Sequence, residues 1–141
     1  MAVYYRKYQS QSKDEKKAGK WYAHAQVMQV IGTREISDEI QQNVSVKRSD
    51  VIAVLAELSN VIKRNLLAGN RVKIDDVGSF KISIRTKGAI SADKFGEDNI
   101  LGTKVIFQPE SYKSSTGVRV KRWMEEIKVQ ELPKNFVGAN D

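Results

Sequence analysis

The hydrophobic period of this chain changes abruptly at one glycine, and that change limits the folds open to it. Before it, Val51, Val54, Leu55, Leu58, Val61, Ile62 and Leu66 recur at i, i+3, i+4 and i+7, the signature of a helix with one apolar face. Asp50 stands in the first turn and Lys63 and Arg64 near the end, each on the side the helix dipole favours. Gly69-Asn70 supplies the stop. After it the period becomes two. Val72 and Ile74 alternate with Arg71 and Lys73, and beyond the turn Asp75-Asp76-Val77-Gly78, Phe80, Ile82 and Ile84 alternate with Lys81, Ser83 and Arg85. Each strand then has an apolar face for a core and a polar face for water or an anion.

The flanking segments extend this pattern. Residues 3–9 and 21–28 are rich in Tyr, Val and Trp and read as two strands, with a polar loop ending near Gly19 between them. Thr33 is placed as an N-cap with Glu35 in the first turn, and Ile36, Ile40 and Val44 give a short amphipathic helix. Residues 86–102 are polar and rich in turn formers. Thr103 to Gln108 reads as a strand stopped by Pro109. Val118, Val120, Trp123, Met124 and Ile127 predict a closing helix over 116–127, and Pro133 and Val137–Asp141 read as a frayed tail. Helices preceding an antiparallel sheet make an α+β fold.

The totals exclude several chemistries. The chain of 141 residues fits one domain, or one with an extension. It has no cysteine, so disulfides and thiolate metal sites are absent. His24 is the sole histidine and stands among no carboxylate cluster, so no metal or other cofactor is expected. No nucleotide-binding glycine motif or Ser/His/Asp constellation is present, and Asp75-Asp76 read as turn chemistry. An enzyme has no residues behind it, and no small-molecule substrate is expected. Without an apolar run of membrane-spanning length or a signal peptide, the expectation is no membrane partner and a cytoplasmic protein. Net charge is +7 and blocked: residues 61–87 carry seven cations against two carboxylates, residues 88–112 two against four. Such excess favours polyanions.

The segment Val46–Arg85 resembles the HU/IHF family of bacterial nucleoid proteins. The residues that carry it are Leu66-Leu67-Ala68-Gly69-Asn70-Arg71-Val72 and Ile74-Asp75-Asp76-Val77-Gly78-Ser79-Phe80-Lys81-Ile82: a helix ending in Gly, a short strand, and a tight Gly turn before Ser and Phe. It extends over about residues 33–127, leaving the first 32 residues as an extension of the kind some HU-like proteins carry. The expected organisation is a β-hairpin extension at 1–32, an HU-like domain at 33–130 and a polar tail at 131–141. The resemblance implies an intertwined homodimer with two helices, a three-stranded antiparallel sheet, a β-arm and a C-terminal helix. It also implies architectural binding of double-stranded DNA in the nucleoid, with little base reading.

Candidate DNA contacts are Lys81, Arg85 and Lys87, on one face by period two, with Lys104 on the next strand and Arg119, Lys121 and Arg122 on the closing helix. Each set has a plainer reading. The strand face is either a DNA saddle or a solvated surface, and the resemblance favours the saddle. The basic flank of the closing helix is open between the same two. The lysines of the 10–20 loop read as a soluble hairpin tip. The aromatic residues of the first two strands read as packing, and Phe95 is the one arm aromatic placed to act as a wedge between bases. The chain departs from the family at the arm. No proline lies between residues 81 and 108, and Asp93, Glu97 and Asp98 face one Lys94 there. An alternative is therefore an HU-like dimeric scaffold with weak or lost DNA binding, serving as a protein-interaction module.

Overall fold

A computed structural model describes residues 1–135. In chain order the elements are β1 (Val3–Gln9), β2 (Trp21–Ala25), α1 (Thr33–Asn43), α2 (Arg48–Leu67), β3 (Val72–Ile74), β4 (Gly78–Thr86), β5 (Ile100–Pro109), β6 (Ser111–Lys113), β7 (Arg119–Lys121) and β8 (Val129–Glu131), with short 3-10 turns at Ala92–Lys94, Glu97–Asn99 and Arg122–Met124. The chain divides into two units: Met1–Ile36 with the described part of Glu126–Asp141, and Ser37–Glu125. Among the described residues no helix is long and apolar enough to cross a membrane.

In the first unit, β1 and β2 form an antiparallel hairpin from Tyr5–Ala25 to Gln9–Trp21. On one side Tyr8 lies against Tyr22 and His24, with ring centroids 6.0 and 5.4 Å away, and Tyr8, Tyr22 and Trp21 remain exposed. The other edge of β1 is covered by β8, which pairs with it in parallel from Val3–Val129 to Tyr5–Glu131. Lys7 closes this pairing with a 3.0 Å ion pair to Glu131, which raises its ammonium above the ordinary lysine range. Leu132 follows, buried, and its N–H donates to the Tyr5 carbonyl. The chain therefore re-enters the fold through Leu132; Val137–Asp141 lie outside the described residues. α1 begins at Thr33, but the Ile36 N–H donates to the Gly32 carbonyl and Glu35 Oε2 accepts the Gly32 N–H at 3.1 Å. Gly32, not Thr33, thus holds the capping position, with Glu35 reaching back from the first turn.

In the second unit, α2 is the long helix its periodicity predicts. It ends in a Schellman motif: Asn70 N–H donates to the Asn65 carbonyl and Gly69 N–H to that of Leu66, with Gly69 at φ +81°. Strands β3, β4 and β5 form an antiparallel meander, and Pro109 is the last residue of β5, opposite Gly78. The β3–β4 turn needs Gly78 at φ +146°. A Cβ there would overlap the Gln108 carbonyl oxygen and stand 2.9 Å from Phe107 Cε2. Asp76 takes φ +63°, which its short polar side chain tolerates. Phe80 is half-buried, its ring 5.0 Å from Phe107, which lies 6.0 Å from Trp123.

The closing helix expected over 116–127 does not form. Ser114–Gly117 makes a turn, with Gly117 at φ +79°, and folds β7 antiparallel onto β6. Val118-Arg119-Val120-Lys121 alternates with a period of two, and Val resists helix at the χ1 level. Of the apolar residues that suggested helical spacing, Val120 lies in β7, Trp123 and Met124 lie in a single 3-10 turn, and Val118 and Ile127 lie in no regular element.

Side-chain burial in the second unit is thin. Val51 and Leu66 are buried, yet Val54 of the same helix stripe is 65% exposed and Leu58 37%. Ile82, Ile84, Val105 and Phe107 are exposed on the sheet. Apolar surface is thus open on both the helix and the sheet of this unit.

Candidate nucleic-acid interface

Register decides which side chains share a face. Across β4 and β5, Phe80 pairs with Phe107, Lys81 with Ile106, Ile82 with Val105, Ser83 with Lys104, and Arg85 with Gly102. Partners in an antiparallel ladder point to the same side. One face is therefore Phe80, Phe107, Ile82, Val105 and Ile84. The other carries Lys81, Lys104 and Arg85, and on β3 Lys73 joins it opposite Ser79. Lys81 and Arg85 thus share a face, as expected, and the ladder adds Lys104 to them.

Lys87 does not extend this row. The register shifts between Arg85 and Thr86, β4 ends at Thr86, and strand alternation no longer fixes the side Lys87 takes. Its backbone N–H donates to the Asn99 carbonyl at 2.8 Å. Asn99 closes the neck of the arm: its side chain donates to the carbonyls of Lys87 and Gly88 and accepts from the Gly96 N–H. The tip is a folded loop of two 3-10 turns, holding Asp93, Glu97 and Asp98. Phe95 is exposed there, but Ile90 is 94% exposed and is the more open apolar side chain.

Arg119 and Lys121 occupy β7, not a helix, and share one of its faces. Arg122 is committed elsewhere, in a 2.8 Å ion pair with Asp76. It belongs to a knot at the β3–β4 turn. Glu110 accepts the Asp76 N–H and faces Lys73 Nζ at 3.5 Å, while its own N–H donates to the Val77 carbonyl at 3.2 Å and its carbonyl accepts the Arg122 N–H at 3.0 Å. Asp75 pairs with Lys73 at 3.6 Å. The two aspartates are therefore used as turn and ion-pair groups.

Arg71 is the residue the sequence reading missed. Its Nε and one terminal nitrogen both donate to Ser79 Oγ, at 3.1 and 2.7 Å, and the same terminal nitrogen donates to Gln108 Oε1 at 3.0 Å. The fork is thereby fixed on the polar face of the sheet. The signal was available: Arg71 precedes β3 in phase with Lys73. Among the described residues no cluster of His, Asp and Glu could hold a metal ion.

The cocrystal structure of Anabaena HU with DNA is similar over 55% of this chain and 85% of that one, at 18% identity and a TM-score of 0.40. Among curated protein sequences none matches. A family model described as an HU domain fused to wHTH, Ig or glycine-rich motif matches residues 1–119, taking in the N-terminal hairpin and ending inside β7. With most of its length matched, the chain belongs to this HU-HIG family and is HU-like.

Proposed function

We propose that the protein is a non-enzymatic, DNA-binding architectural protein of the nucleoid, acting as a homodimer on duplex DNA with low sequence specificity. The observation that carries this is the continuous cationic face of the sheet, where Arg71, Lys73, Lys81, Lys104 and Arg85 stand on one side. Lys and Arg side chains spread along a sheet face meet phosphate oxygens, contacts that position the duplex but carry no sequence information. The open apolar stripe of α2 and the opposite sheet face favour a second copy as cover. Wrapping at the arm is the weaker part, since the folded tip presents three carboxylates and no proline.

The test is a titration of random-sequence duplex DNA across a salt series. Sub-micromolar binding at low salt, weakening linearly in log–log form, is the expected result. Absence of binding at the lowest salt refutes the reading. That outcome would favour the second one, a dimeric HU-like scaffold for protein partners, for which the acidic tip is the specific observation. Lys81→Gln/Arg85→Gln should make the salt slope shallower by about two.

A further inference from the structure

A cleft of about 690 Å³ lies between the end of the β3–β4–β5 sheet and the β6–β7 hairpin. Arg71, Lys73, Arg119 and Lys121 line it, against a single carboxylate, Glu110. That carboxylate is already engaged by Lys73 and the Asp76 N–H. Among the described residues Arg71, Arg119 and Lys121 form no ion pair. Three cations without an ion-pair partner therefore line one opening, and a bound anion would relieve their mutual repulsion.

The cleft is also held in shape. Arg71 is fixed by Ser79 and Gln108, leaving its other terminal nitrogen free to donate. The hairpin is tied to the sheet through the Arg122 N–H to the Glu110 carbonyl and the Arg122–Asp76 ion pair. Planar, preset guanidinium groups suit phosphate oxygens.

We infer that this cleft takes a backbone phosphate of the duplex outside the saddle, so that the β6–β7 hairpin, rather than a closing helix, supplies the flanking contact. The inference rests on the DNA-binding reading. It commits to duplex phosphate because the cleft shares residues with the cationic face: Ser79 and Gln108 line it, and Lys81 and Arg85 follow on β4 on the same side. At about 3.3 Å per strand residue, Ser79 to Arg85 spans about 20 Å, close to six base-pair steps of about 3.4 Å.

The experiment compares salt slopes for random duplex DNA between the wild type, Arg119→Gln/Lys121→Gln and Lys113→Gln. Lys113 shares the hairpin but does not line the cleft. The double variant should lower the slope by about two with unchanged far-UV circular dichroism, and Lys113→Gln should leave it unchanged. Should the double variant unfold, Arg119→Gln and Lys121→Gln taken singly replace it, with a loss of about one expected from each. Wild-type slopes in the cleft variants, while Lys81→Gln/Arg85→Gln lowers it, overturn the cleft and leave the DNA reading standing. A loss of about one from Lys113→Gln also overturns it, since general hairpin charge would then explain the effect. A wild type that fails to bind removes both readings together.

Discussion

Three glycine-to-alanine substitutions separate two costs that usually arrive together. Gly88 has an ordinary φ and nothing near its absent Cβ; Gly69 has φ +81° with the same open space; Gly78 has φ +146° and close neighbours. Gly88→Ala should be neutral or stabilising by up to about 1 kcal/mol, because alanine narrows the unfolded ensemble. Gly69→Ala should cost about 1–2 kcal/mol for the positive φ alone. Gly78→Ala adds an overlap with the Gln108 carbonyl and with Pro109 Cα at 3.0 Å. Both are backbone and cannot swing aside, so overpacking adds about 1–3 kcal/mol. The total of about 2–5 kcal/mol is a large share of a typical stability of about 5–15 kcal/mol. Urea unfolding followed by circular dichroism, at one protein concentration because self-association shifts the midpoint, measures the series. If Gly78→Ala matches Gly69→Ala, the close approach of β4 to β5 contributes nothing and the argument for the turn fails.

Three further outcomes follow from the same geometry. Val54→Glu/Leu58→Glu should leave the helix intact and produce monomers in sedimentation, and an unchanged sedimentation coefficient would remove the apolar stripe as the dimer contact. Asn99→Ala should free the arm neck, seen as faster amide exchange at Lys87 and Gly96 with little change in global stability, since the bonds it removes are exposed. The Tyr112 hydroxyl donates to Glu125, which raises its pKa above the ordinary 10.0. This contact is fully present below pH 10 and is lost as pH rises through the folded value. Glu125→Gln should therefore bring the Tyr112 tyrosinate step to lower pH, identified by its loss in Tyr112→Phe, and an unmoved titration would dismiss the contact.

The helix and meander were legible because each satisfies a local rule with its own residues. Val51 to Leu66 carries seven apolar positions at helical spacing, and the Gly69-Asn70 stop is sequence-local. The sheet's polar row was half legible. Alternation placed Lys81 and Arg85 together, but Lys104 joined them only through cross-strand register, which one strand cannot disclose. Residues 116–127 misled because Val118, Val120, Trp123, Met124 and Ile127 fit helical spacing loosely, while the stronger cue was Ser-Ser-Thr-Gly before a Val-Arg-Val-Lys alternation. Arg122 looked like one of a basic trio, but a turn aspartate distant in sequence claims it.

The pairing of β1 with β8 has a consequence for the order in which the chain folds. Val3 meets Val129, so the first unit is assembled from two pieces of chain separated by all of Ser37–Glu125. Parallel strands always need a crossover, and here the crossover is itself a folding unit. During synthesis residues 37–125 emerge and can collapse on local contacts while β1 waits without β8. The β1–β2 hairpin is then a two-stranded ribbon, marginal alone, with an edge open to the wrong neighbour. A later-made strand completes an earlier-made sheet, so truncation before residue 129 should expose that edge and reveal itself as aggregation, not as loss of the central unit.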